Sequence, residues 1–350
     1  MEFTPIAGLE ELESHLRYVV EDPATPLDAK LFDKVELQLN GINIAPLIPR
    51  LLPYLTQILL AYEQDPVIVA SLSIKLIKPI KFTQVLTLAS EDALIQALRS
   101  PVPSVNILAI SILEKATKIP SDAAILSIMN GVVENFLRTW LSTPDVGVGE
   151  KATKVLGDLL EVDCDRRSSA GIETKMNGLQ IKSSPGQGLL WRRIFQDRVI
   201  YDIIFSLCSS TGILEGRQRS LAQGRLLRIL PRLASLDFKT ITRSQFPDIE
   251  RMYGVGQLGI LYFATVDMVV KEEDPLMHII LMEYLAELLE RMSTTELTAP
   301  ILDYLAMLVK KVTTSDPAMY KHLEAIVTSP KAAETSPELV DLLVTLNKYP

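Results

Sequence analysis

Two stretches of this chain repeat one another at a fixed distance, and no other feature constrains the fold as tightly. Residues 93–116 read "ALIQALRSPVPSVNILAISILEKA" and residues 136–161 read "FLRTWLSTPDVGVGEKATKVLGDLLE". At an offset of 43, Leu94 meets Leu137, Leu98 meets Leu141, Pro101 meets Pro144 and Val105 meets Val148. Ala109 then meets Ala152, Ile112 meets Val155 and Leu113 meets Leu156. Each copy is a helix, a proline turn and a second helix with a small residue at its packing point. A period in the low forties is that of HEAT and armadillo arrays, whose units cannot bury an apolar face alone and so must stack.

The rest of the chain carries the same grammar. Leu9, Leu12 and Leu16, then Leu27, Leu31, Val35 and Leu39, recur at helical spacing. "LLWRRIFQDRVIYDIIFSLCSS" with "RQRSLAQGRLLRILPRLASL" forms one further helix pair, and "FPDIERMYGVGQLGILYFATVDMVV" with "DPLMHIILMEYLAELLERM" another. A capping side chain followed by proline recurs at Asp65-Pro66, Asp274-Pro275, Asp316-Pro317 and Ser336-Pro337. No alternating strand pattern interrupts the helices. The expected fold is all-α, a curved α-solenoid of stacked HEAT/armadillo-like repeats. Residues 163–188, rich in Ser and Gly and without an apolar period, read as a flexible loop. They divide the chain into N-terminal repeats over 1–162 and C-terminal repeats over 189–350.

The solenoid's own glycines raise a competing reading. Gly254, Gly256 and Gly259 spell G-x-G-x-x-G, and Asp274 follows twenty positions after the first. A dinucleotide site needs a buried strand before those glycines, then a helix and a second strand bearing the ribose-binding acid. "PDIERMY" precedes them with three charges in seven residues, and "ILYFATVDMVV" runs straight into Lys271-Glu272-Glu273-Asp274-Pro275. No room is left for a helix and a strand, so the glycines are expected to be buried packing positions or a helix junction. The three histidines, His15, His278 and His322, are scattered, Cys164 and Cys208 lack metal spacing, and no phosphate loop or nucleophile elbow occurs. The reading is of a non-enzyme without cofactor or metal.

Charge narrows the partner class. The net charge of −8 disfavours nucleic acid, whose binding is driven by phosphate neutralisation. Two cysteines in 350 residues fit a reducing cytosol or nucleus. The acidic start, Glu10, Glu11 and Glu13, is unlike a signal peptide, and the most apolar window, Gly254 to Val270, is too short to span a membrane.

Within the chain, eight arginines stand against three acids between Trp191 and Arg232, and nine acids against Lys271 and Arg291 between Asp267 and Asp303. Arg225, Arg228 and Arg232 share a helix face, as do Glu283, Glu287 and Glu290. Second helices line the concave surface of stacked pairs, which assigns partner binding to Arg225, Arg228, Arg232, Lys151, Lys154, Asp158, Glu283 and Glu287. A solvated face or bridges between neighbouring repeats is the alternative. If the stripe binds a partner, reversing the three arginines to Glu should weaken that binding while leaving the helical signal and melting point nearly intact.

"SPVPSVNILAISILEKATK" and "DPLMHIILMEYLAELL" resemble repeat segments of the HEAT/armadillo chaperones that assemble the proteasome regulatory particle. "FTQVLTLASEDALIQALRSP", "GDLLEVDC" and "GLLWRRIFQDRVIYDIIFSLC" are similar to its filamentous-fungal branch, also catalogued as DNA mismatch repair proteins. The resemblance implies an assembly chaperone gripping the C-terminal helical domain of the first regulatory AAA ATPase. It also implies contact with other base subunits, while the charge and the short apolar window, not the resemblance, lead us to expect no nucleic acid or membrane partner. A general scaffold or transport adaptor of the same build remains the alternative.

Overall fold

A computed structural model describes residues 5–62, 64–165, 185–328 and 336–348. Among the described residues every regular element is helical, and no helix is long and apolar enough to cross a membrane. The chain divides into two compact units, Met1–Lys118 and Ile119–Pro350.

The first unit contains α1 (Leu9–Glu21), α2 (Ala29–Glu36), α3 (Ile48–Ala61), α4 (Val67–Ile77), α5 (Phe82–Val85), α6 (Glu91–Arg99) and α7 (Pro103–Leu113). Its helices stack in sequence, α1 on α3, α3 on α4, α4 on α7 and α6 on α7. The leucines of the helical period become its core: Leu12, Leu16, Val35, Leu51, Leu55 and Leu72 are all buried with Phe32. Of the Asp-Pro pairs, Asp65 does not cap. Its carboxylate instead accepts a hydrogen bond from Ser104 Oγ at the start of α7.

The second unit contains α8 (Pro120–Ile128), α9 (Asn130–Ser142), α10 (Val146–Asp163), α11 (Leu189–Phe195), α12 (Arg198–Cys208) and α13 (Gly216–Thr242). It continues with α14 (Pro247–Met252), α15 (Gly259–Tyr262), α16 (Pro275–Ser293), α17 (Ala299–Ser315), α18 (Pro317–Thr328) and α19 (Pro337–Lys348). The first member of the pair read from "LLWRRIFQDRVIYDIIFSLCSS" is broken at Gln196, because Asp197 Oδ1 accepts from Val199 N and Ile200 N and starts a new helix. Helix α13 likewise breaks at Asp237 (φ −146°, ψ 80°), whose carboxylate accepts from Thr240 N. Asp274 and Asp316 cap α16 and α18 as their sequence context requires.

Most of the 163–188 stretch lies outside the described residues. On its two flanks the chain is tied together. The buried Asp163 carboxylate accepts from Leu190 N at 2.7 Å and Trp191 N at 3.2 Å, while Trp191 Nε1 donates to Leu160 O at 2.8 Å. Helices α10 and α11 therefore pack within one unit, and the boundary between units falls at 118/119, ahead of the stretch at which the sequence divides.

The glycines of the G-x-G-x-x-G match form a turn between α14 and α15, with helix on both sides. Gly256 N donates to Asp267 Oδ2 and Gly259 N to the buried Glu250 Oε2, so the chain's own carboxylates take these amides. The three glycines thus meet the helix-junction alternative, and burial holds for Gly259 alone. At φ +82° a Cβ there would lie 2.7 Å from Ile241 O and 2.9 Å from Arg243 N, against the backbone at the end of α13. Gly254 and Gly256 are exposed turn residues, not the buried packing positions that the other alternative required. Asp274 serves as the N-cap of α16.

Candidate functional site

The two copies of the repeat share a device that the offset alone does not reveal. In the first, the buried Asn106 of α7 donates from Nδ2 to the carbonyls of Ala97, Leu98 and Ser100 at 2.9, 3.1 and 3.0 Å. These are carbonyls at the end of α6, which no later turn of that helix can satisfy. Forty-three residues on, the corresponding carbonyls belong to Trp140, Leu141 and Thr143, and Asn106 is replaced by Gly149. All three are capped by Arg225, whose Nη1 donates to them at 3.0, 3.2 and 2.8 Å, while Nη2 donates to Asp145 O at 3.1 Å. The guanidinium reaches them by crossing Gly149, where a side chain would otherwise stand: a Cβ on that residue would collide with Arg225. One cap is thus supplied from within the helix pair and the other from α13, three helices further along the chain.

This geometry decides the fate of the arginine stripe. Arg225 is 5% exposed, and burial pulls its guanidinium below the usual arginine range. It belongs to the interior, and the expectation that charge reversal there would spare the melting point is corrected. Arg232 crosses Gly157 in the same way and joins Asp158, at 2.8 Å, and Glu161. Burial opposes its charge, but the hydrogen bonds to Glu161 and Asp158 outweigh it and hold the guanidinium above its ordinary range. Lys154 Nζ bonds the other oxygen of Asp158 at 3.0 Å. Burial works against ionisation of Asp158 too, yet Arg232 and Lys154 hold its carboxyl below the ordinary 3.8. Lys151 is partly buried on α10. Arg232, Lys154 and Asp158 therefore form a bridge between neighbouring repeats, the alternative weighed for the stripe. Arg228 differs: its side chain is 60% exposed and pairs with Glu150.

Four of the eight expected site residues converge on one groove. Second helices α10, α13 and α16 pack in succession, and between them opens a cavity of 340 Å³. Arg225, Arg228, Glu283 and Glu287 line it, together with Glu150, Gly224, Ile280 and Tyr284. Lys151, Lys154, Asp158 and Arg232 do not. The sequence reading missed the apolar floor and Glu150. The signal was available in α16, where Leu276, Ile280, Glu283 and Glu287 follow i, i+4, i+7, i+11, one stripe passing from apolar to acidic.

Residues 8–141 match the family model described as DNA mismatch repair protein HSM3, N terminal domain. The match takes in most of the first unit together with α8 and nearly all of α9, and it is to a family of the kind that the repeat blocks resemble. It ends before α10, so the groove lies beyond it. No curated protein matches the chain.

Proposed function

We propose, from the match of residues 8–141 to the family model of the HSM3 N-terminal domain, that this chain is a non-catalytic assembly chaperone of the proteasome base. In this reading it binds the C-terminal helical domain of one regulatory AAA ATPase, the first of the ring, through the face formed by its second helices. It holds the immature base with its other subunits and leaves when assembly is complete. The compartment is the cytosol or nucleus. The observation that carries the reading is the family match, on the same N-terminal repeats whose segments resemble the regulatory-particle chaperones. The groove between α10, α13 and α16 suits a protein partner, being open, apolar at its floor and charged at its rim. The family description names DNA mismatch repair, but a net charge of −8 favours a protein partner over a polyanion.

A pull-down against separately expressed C-terminal domains of the proteasomal ATPases tests this. Retention of one domain in preference to the others is expected. Retention of none would leave the general scaffold or adaptor reading in its place.

A further inference from the structure

Glycine in the interior of a helix costs about 1 kcal/mol relative to alanine, so each one calls for a reason. On α10 the reasons are visible. Gly149 and Gly157 leave room for the guanidinium groups of Arg225 and Arg232, which cross them. Gly224, well inside α13, has no such reason: a Cβ built on it would meet nothing within 4 Å. Its backbone conformation is ordinary helix, so no left-handed geometry requires it either. Gly224 lies in the lining of the groove, and what it leaves open is depth.

The walls around that depth are chemically uneven. Leu221, Leu227, Ile280 and Tyr284 give an apolar floor. Of the charged groups, Arg225 is engaged with four carbonyls, and Arg228 and Glu150 engage each other. Two carboxylates of α16 remain. Glu283 is exposed and has no hydrogen bond or ion pair among the described residues. Glu287 pairs only with the half-exposed Arg291 one turn on, at 3.1 Å. The groove thus offers an apolar slot over a glycine with surplus negative charge along one wall.

We infer that this groove seats a segment of the protein partner that carries a lysine or arginine beside an apolar side chain. The apolar side chain fills the space above Gly224 between Leu221 and Ile280. The cation bonds Glu283 and draws Glu287 from Arg291, and the partner's backbone lies close against α13. The inference rests on the chaperone reading for its choice of partner, and it assigns the recognition to these residues.

The test uses the full chain and the separately expressed C-terminal domains of the proteasomal ATPases, with affinity and melting temperature measured in parallel. Gly224→Ala should raise the melting temperature by about 2–4 °C, since it improves helix propensity where there is open space. The same substitution should weaken binding by roughly tenfold, and Gly224→Leu should weaken it further. Opposite signs in the two readouts cannot come from a folding defect. Glu283→Gln with Glu287→Gln should slow association, flatten its salt dependence and leave the melting temperature unchanged. If the unaltered chain binds an ATPase domain and all three variants bind equally well, the groove assignment falls while the chaperone reading stands. If the unaltered chain binds none of the domains, both fall.

Discussion

Loss of the Arg225 side chain should cost the second unit several hydrogen bonds at once, and the repeat itself suggests how to restore it. Replacing Arg225 by Ala removes four hydrogen bonds, three from Nη1 and one from Nη2. The carbonyls of Trp140 and Leu141 lie in buried surroundings at the end of α9, so water does not readily replace the lost partners. Each orphaned carbonyl costs about 1–3 kcal/mol, and together with the lost packing of the arginine stem the total is roughly 3–5 kcal/mol. In a unit of this size that lowers the melting temperature by about 10 °C. Arg228→Ala, which releases an exposed pair, should cost about 0–1 kcal/mol. The informative variant is Gly149→Asn, which gives the second repeat the same capping residue type as the first. In the unaltered chain it should destabilise by about 1–3 kcal/mol, because its Cβ collides with a guanidinium pinned by four hydrogen bonds. Combined with Arg225→Ala it should recover about 2 kcal/mol, since the introduced asparagine amide can then donate to the same carbonyls. Thermal unfolding of the four chains, followed by circular dichroism, reads the cycle. Additive losses, or an Arg225→Ala chain that melts with the wild type, would refute the shared cap.

Three further outcomes follow from the same packing. Gly259→Ala should cost roughly 2–5 kcal/mol, from left-handed strain and from collision with the backbone of Ile241 and Arg243. Gly254→Ala, also at positive φ but facing open space, should cost only about 1–2 kcal/mol, and equal melting temperatures for the two would contradict the close approach at Gly259. The depressed Asp158 carboxyl adds stability that is complete above its ordinary 3.8 and is lost as pH falls through its lower folded-state value. Asp158→Asn should therefore narrow the stability gap between neutral and strongly acid solution, as read by urea midpoints across that range.

The helical build and its period could be read from the leucines and the offset of 43, because burial on stacked helices imposes both. The turn chemistry was partly readable. Asp274 and Asp316 cap as their Asp-Pro context demands, but Asp65 is drawn away by Ser104 of α7, a tertiary contact with no local signature. The arginine stripe shows the sharper limit. Helical spacing placed Arg225, Arg228 and Arg232 on one face, and they do share it. Which of them meets solvent depended on what α10 set opposite: glycine at 149 and 157 admits two of them into the interface, and Glu150 holds the third at its rim. The glycine match at 254–259 misled as a motif for a related reason. Its letters serve a turn whose amides point at Glu250 and Asp267.

The chaperone reading is tested most directly by what the full chain carries when it is isolated from its own cells. Affinity isolation followed by mass spectrometry should recover the proteasomal ATPases of the immature base, with the first regulatory ATPase foremost, and leave the core particle behind. Recovery of the complete proteasome in fixed proportion, or of no proteasomal ATPase at all, would contradict it.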